Sequence, residues 1–277
     1  METLVKPDKG CIIVSMRITI SGYGYVGRAI EALMYDADIE TKIVDPNYYR
    51  ILGKDLTCGL KIYDTKPSGV IICVSTPQSD TGACDMSNVC SVIEDTDSEI
   101  PILIKSTISL EGWNEIQNKF PKHNISFSPE FLRASTAIQD LRDTKEILIG
   151  GDNLTFWIDL FKKTYKHEIK FLTMPVNELI LIKYFRNAFL ATKVSFFNQI
   201  YDLCEATGID YENVAQGIGM DTRIGNSHTK VNTSRGYGGH CFPKDVKAIL
   251  ATAKANNVNL SLINESQKYN NTVRKEI

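Results

Sequence analysis

No stretch of this sequence stays apolar for the roughly 20 residues a membrane-spanning helix requires. The strongest apolar runs, such as 70–74, are short. The first fifteen positions carry Glu2, Lys6, Asp8 and Lys9 and lack the apolar centre of a secretory signal. No C-x-x-C pair occurs among the seven cysteines. Neither a disulfide framework nor a metal site is expected, and the setting read from this is reducing and cytoplasmic. Charge of one sign is not in excess either, with 31 basic and 33 acidic residues giving a net −2. General electrostatic attraction to nucleic acid or to an anionic membrane is thereby removed. Internal repeats and low-complexity segments are missing as well.

What is present is ordinary globular composition, 43% apolar and 23% charged over 277 residues. That length makes one large domain or two ordinary ones with a sizeable core. Short β-branched runs at 17–20, 42–44, 69–74, 100–105, 125–128 and 147–149 alternate with helical stretches at 87–94 and 110–120. Strand alternating with helix predicts an α/β domain on a parallel sheet. Near Leu172 the pattern changes. Leu179, Ile182, Phe185, Phe189, Thr192 and Phe196 recur at spacings of three and four, which predicts one long helix over 176–206, stopped by Gly208. A short helix follows at 210–217, then a glycine-rich loop over 225–239, a helix opened by Pro243 and a last one over 260–277. The expected organisation is an extension at 1–15, a Rossmann-type domain at 16–172 and a mostly helical domain at 173–277.

Three constellations carry chemistry. The first is G-x-G-x-x-G in Gly22-Tyr23-Gly24-Tyr25-Val26-Gly27, placed between a strand and a helix. Its glycines permit a tight turn and close approach of the backbone to a pyrophosphate at the helix N-terminus. Asp45 stands at the end of the next strand, roughly 18 residues on, where an acid binds ribose hydroxyls and repels a 2′-phosphate; NAD is expected over NADP. The second is Gly236-Tyr237-Gly238-Gly239-His240-Cys241-Phe242-Pro243-Lys244-Asp245. Cys241 precedes a helix whose N-terminus favours a thiolate, and Asp245 shares a helix face with the sulfur. Taken alone, Cys241 equally fits a buried cysteine at a helix start. The third is Lys183 and Asn187, four apart on one face of the long helix. An ammonium beside an amide suits an oxyanion or a sugar oxygen, although a lysine lying along a solvated stripe fits the same spacing.

Taken in order, these segments resemble the UDP-glucose/GDP-mannose dehydrogenase family. The resemblance runs from 16 to 277 through R-I-T-I-S-G-Y-G-Y-V-G (17–27), S-T-P (75–77), K-S-T (105–107), S-P-E-F-L-R (128–133), K-Y-F-R-N-A-F-L-A (183–191), R-I-G-N (223–226) and G-Y-G-G-H-C-F-P-K-D (236–245). Lys244 and Asp245 resemble the UDP-glucose branch. The resemblance implies oxidation of a UDP-sugar C6 alcohol to the carboxylate with NAD, through a thiohemiacetal and a thioester on Cys241. It implies that Lys183 and Asn187 stabilise the oxyanion, that Asp245 and Thr107 hold water and assist proton transfer, and that Glu130 is the base for thioester hydrolysis. In isolation Thr107 and Asp245 would read as helix caps and Glu130 as a surface acid. Thr76 and Thr107 join the glycine loop as cofactor residues. Phe131, Leu132, Arg133, Arg223 and Gly236, Tyr237, Gly238 and Gly239 are the implied sugar-nucleotide residues, and a homodimer through the helical domain is the implied assembly.

The pattern departs from the family at several places. The family's C-terminal UDP-binding domain has no counterpart up to Ile277, so the expectation includes a fragment, a short natural form, or a separate chain that supplies that half. Residues 1–15 also have no counterpart, and Met16 resembles the usual family start. The segment between Asp45 and Val70 is shorter than usual. Ala134, Ile180 and Gln199 stand where the family commonly has acids. A truncated binding module without catalysis is the alternative expectation.

Overall fold

The computed structural model describes residues 16–46, 61–77, 84–239 and 241–275. The extension at 1–15, Cys58, His240 and residues 276–277 lie outside the described residues.

Strands β1 (Arg17–Ser21), β2 (Glu40–Val44), β3 (Gly69–Ile72), β4 (Ile102–Ile104), β5 (Ile125–Phe127), β6 (Glu146–Gly151) and β7 (Lys170–Thr173) form one sheet in the order β2-β1-β3-β4-β5-β6-β7. Helices α1 (Tyr25–Tyr35), α2 (Ser87–Glu94), α3 (Leu110–Lys119), α4 (Ala137–Arg142) and α5 (Leu154–Thr164) connect them. Strands β3, β4 and β5 are buried throughout, as strands covered on both faces must be, and this is why β3 and β4 read as apolar runs. Alternation sorts their side chains. Val70, Ile72, Ile102 and Ile104 join one core, and Ile71 and Leu103 join the other.

The chain leaves β1 toward β2 on one side and later returns to β3 on the other, which opens a crevice at the carboxyl ends of β1 and β3. One feature differs from the expected parallel sheet. Strand β6 runs antiparallel to β5. An antiparallel neighbour starts at the edge where its partner ends, so residues 128–133 stay at the carboxyl edge of the sheet, while α4 packs along α1 with Arg142 on Asp36. Strand β7, which pairs parallel with β6, escapes the sequence pattern because it is only half-buried at the sheet's end.

The long helix is real, α6 (Val176–Thr207), closed by Gly208 at φ 70°. Its buried face is not the apolar stripe that reveals it. Leu179, Ile180, Lys183, Tyr184, Ala188 and Ala191 point inward, whereas Phe189, Phe196 and Leu203 are 68%, 56% and 65% exposed. Helices α7 (Tyr211–Gly219), α8 (Phe242–Ala255) and α9 (Ser261–Val273) complete the chain. Tyr237, Val246 and Ile249 share a core with β3, β4 and α6, so the sheet and the helical half are joined by one core.

Candidate active site

Every parallel strand of the crevice delivers a loop to the same edge. After β1, Gly22 takes φ +92°, and a Cβ there would lie 2.5 Å from the carbonyl carbon of Cys73 in the loop after β3. A Cβ on Gly27 would lie 2.2 Å from the Gly22 carbonyl oxygen, so both glycines are required by close packing of backbone on backbone. Gly24 is different, because a Cβ there meets nothing within 4 Å. It faces open space in a cleft of about 1240 Å³ also lined by Gly22, Tyr23, Tyr25, Val26, Asp45, Thr76 and Thr107. Asp45, at the end of β2, accepts a hydrogen bond from the Tyr23 backbone N–H at 2.7 Å. A turn that exposes backbone, a helix N-terminus and an acid at the end of the second strand fit a dinucleotide.

A second cavity of about 620 Å³ is lined by Phe131, Leu132, Arg133, Ala134, Asn187, His228 and Gly239, among others. The two cavities share Tyr25, Lys105, Glu130, Lys183 and Cys241. Cys241 caps the N-terminus of α8, with Pro243 in its first turn. Its sulfur lies 3.4 Å from the Tyr25 hydroxyl. Burial pushes the Tyr25 phenol above its ordinary pKa, and the neighbouring sulfur adds to the effect.

Behind the sulfur sit buried charges in balance. Lys183 donates to the Glu130 backbone carbonyl at 2.7 Å. Burial pushes the Lys183 ammonium below its usual pKa, with the Asp245 and Glu130 carboxylates opposing. Asn187 donates to Asp245 Oδ2 at 2.6 Å, and Lys244 approaches Asp245 Oδ1 at 3.2 Å. Glu130 Oε1 accepts the backbone N–H groups of Phe131 and Leu132 at 2.7 and 3.1 Å. Its Oε2 lies 3.3 Å from the Lys105 ammonium, which donates to Ser128 Oγ at 3.1 Å. Lys105, Glu130, Lys183 and Asp245 are all buried, and buried charges persist only when paired like this.

Residues 62–169 match the family model described as the UDP-glucose/GDP-mannose dehydrogenase family, NAD binding domain. Residues 178–272 match that family's central domain. A putative UDP-glucose 6-dehydrogenase of Bacillus subtilis is 32% identical over 295 residues, covering 93% of this chain and 68% of the relative. The chain belongs to the UDP-glucose/GDP-mannose dehydrogenase family. A UDP-glucose 6-dehydrogenase of Rickettsia bellii is 32% identical over 292 residues, covering 90% of this chain and 65% of the relative. The chain thus spans about two thirds of the length of these curated relatives. The structure of a UDP-glucose dehydrogenase from Pyrobaculum islandicum superposes with a TM-score of 0.76 at 22% identity, over 95% of this chain and 70% of that one. That likeness is one of fold.

The family's expected residues do not all converge. Arg133 reaches the second cavity but is held by Asp140, with Nε at 3.0 Å from Oδ2 and Nη2 at 2.5 Å from Oδ1. Arg223 pairs with Asp221, its side chain is 87% exposed, and it lines neither cavity. Gly239 lines the second cavity, whereas Gly236, Tyr237 and Gly238 are held against the helices behind it. Tyr237 is buried, and its backbone N–H and C=O both pair with the Asn270 amide, at 2.6 and 3.1 Å. Two participants go beyond the sequence reading. Lys105 stands in K-S-T at the end of β4, and a lysine closing a buried strand was the available signal. Tyr25 reads as a cofactor-loop residue, and nothing local in the sequence reveals its contact with a sulfur 216 positions away.

Proposed function

We propose that this chain carries the catalytic centre of an NAD-dependent UDP-sugar 6-dehydrogenase, with UDP-glucose as the first substrate to test. The observation that carries the reading is the meeting of the two cavities at Cys241, Lys183 and Glu130. A nucleophile there reaches a cofactor in one cavity and a sugar in the other. NAD held by Gly22, Gly24, Asp45 and Thr76 supplies the hydride acceptor for both oxidations. Lys183 and Asn187 stabilise the oxygen of C6 as its charge develops. The Cys241 thiolate adds to the aldehyde carbon and holds it as a thiohemiacetal, which the second oxidation converts to a thioester. Glu130 takes a proton from water as that water adds to the thioester carbonyl, and the thiolate then leaves. Asp245 orients Asn187 through their hydrogen bond, and Thr107 helps to hold the water.

Phe131, Leu132, Arg133 and Gly239 contact the sugar nucleotide in this reading, Gly236 to Gly238 shape the loop that presents Gly239, and Arg223 lies outside both cavities. Domain boundaries near 172–173 separate cofactor from helical functions. The proposal extends to a homodimer along α6, supported by the exposed Phe189, Phe196 and Leu203 at intervals of seven, and to a uridine-binding domain supplied from outside residues 16–275. A cytoplasmic, reducing compartment belongs to it, since Cys241 acts as a free thiol.

The test supplies UDP-glucose and NAD, with and without a C-terminal domain as a separate polypeptide. Glu130→Gln is expected to give a burst of NADH, then a slow phase, with a sugar-nucleotide adduct on Cys241 by mass spectrometry. Cys241→Ser is expected to make no uronate. Uronate turnover by Cys241→Ser would overturn the covalent reading. Binding of both ligands with no NADH from the unmodified chain would favour a non-catalytic binding module.

A further inference from the structure

We propose that Lys105 is a positioning residue for the hydrolytic step, acting through Glu130. The inference rests on the reading just given, in which Glu130 is the base. Lys105 closes β4 and Glu130 follows β5, adjacent parallel strands, so the sheet itself sets their spacing. Both side chains are buried, and both line each of the two cavities.

The two carboxylate oxygens of Glu130 have different surroundings. Oε1 is occupied by two backbone N–H groups. Oε2 is buried and has no hydrogen-bond donor among the described residues. Its neighbour is the Lys105 ammonium at 3.3 Å, whose own hydrogen bond goes to Ser128. An unsatisfied buried acceptor is unfavourable and marks a place where another group belongs. We assign that group as a water, because Glu130 lines both cavities beside Cys241. The backbone clamp fixes one oxygen, the ammonium fixes the carboxylate plane and its charge, and Oε2 is left as the atom that takes a proton.

In the step this serves, water oxygen bonds to the thioester carbonyl carbon, its proton passes to Glu130 Oε2, and the carbon–sulfur bond breaks to release thiolate and carboxylic acid. No electron transfer is involved. It can therefore be followed without cofactor or sugar. p-Nitrophenyl acetate acetylates a reactive thiolate with release of nitrophenolate. Loss of the acetyl group from Cys241 is then timed by intact mass and peptide mapping, with Cys241→Ser as the blank and an S-acetyl cysteine peptide as the solution reference.

The unmodified chain is expected to deacylate at least about tenfold faster than the peptide, and both Lys105→Met and Glu130→Gln to lose at least about tenfold. Lys105→Arg keeps the charge and is expected to recover most of the rate. The double variant Lys105→Met/Glu130→Gln is expected to be no slower than Glu130→Gln, because one residue works through the other. Ser128→Ala, which keeps both charges and removes the anchor of the ammonium, gives a second variant, expected to slow deacylation only when Glu130 is present. Wild-type deacylation in Lys105→Met, or a further loss in the double variant, would overturn the role of Lys105 alone. An unmodified chain no faster than the peptide would overturn the base assignment to Glu130 as well.

Discussion

Two glycine-rich loops lead to the same sulfur and are built on different principles. The loop 22–27 is held largely by backbone, with the Asp45 carboxylate accepting from the Tyr23 N–H. Gly22 N–H donates to the Val44 carbonyl at 3.0 Å, and Gly22 and Gly27 are packed against neighbouring main chain. The loop 236–239 is held by side chains. Asn198 accepts from the Gly236 N–H at 3.0 Å, Asn270 clasps Tyr237, and Arg274 donates to the Arg235 carbonyl at 3.0 Å. The first loop is a local design, so its spacing alone announces it. The second depends on α6 and α9, and no spacing within the loop reveals what holds it.

The comparison breaks most visibly at Gly22. Gly22→Ala places a Cβ against main chain at positive φ, and a loss of about 3 kcal/mol is expected in urea denaturation. Gly24→Ala is the contrast, with a loss below about 1 kcal/mol and a weakened NAD affinity by calorimetry. Equal stability of the two variants would remove the distinction between packing glycine and binding glycine.

In the second loop, Asn270→Ala leaves the Tyr237 N–H and C=O unpaired in the interior. About 2 kcal/mol is the expected loss, with a changed alkylation rate at Cys241, since the loop aims it. A variant with lowered stability and an unchanged Cys241 rate would detach Asn270 from the site. Asp45→Ser belongs to the first loop and is a smaller change. The ratio of NAD to NADP affinity is expected to fall about tenfold, near 1.4 kcal/mol. Equal affinities in the unmodified chain would cancel the role of Asp45.

The smallest expected effect lies at the rim of the second cavity. The Arg133 guanidinium holds the Asp140 carboxyl down at about 2. A depressed folded-state pKa contributes stability above the ordinary carboxylate pKa and loses it as pH falls through about 2. Arg133 is mostly exposed, so the contribution is about 1 kcal/mol or less. The stability difference between the unmodified chain and Asp140→Asn is expected to fade between about pH 4 and pH 2. A difference that persists unchanged at pH 2 would remove the ion pair as its cause.

Much of this was legible in sequence where the signal is local. The buried strands β3 and β4 declare themselves as apolar runs, Gly208 stops α6, and Lys183 with Asn187 share a face by spacing alone. What stayed hidden depends on partners far along the chain. The antiparallel turn of β6 follows from where 128–133 must sit, not from its residues. Phe185, Phe189 and Phe196 read as a core face and lie on an outer one, while Lys183 occupies the inward face of α6 and donates to the Glu130 carbonyl just after β5. Arg133 and Arg223, expected at a ligand, are engaged by Asp140 and Asp221, whose competition no motif records.

The two cavities meet at one thiol. Limited alkylation with iodoacetamide at neutral pH, mapped by mass spectrometry, tests it without requiring turnover. Among the described cysteines Cys90 and Cys204 are buried, and burial pushes the Cys73 thiol up to about 12. Cys241 is expected to label ahead of all three, at the N-terminus of α8 where a thiolate is favoured. NAD alone is expected to slow that labelling, and UDP-glucose alone to slow it too, because each ligand fills a cavity that Cys241 lines. Preferential labelling at Cys73, Cys90 or Cys204, or a Cys241 rate indifferent to both ligands, would contradict this arrangement.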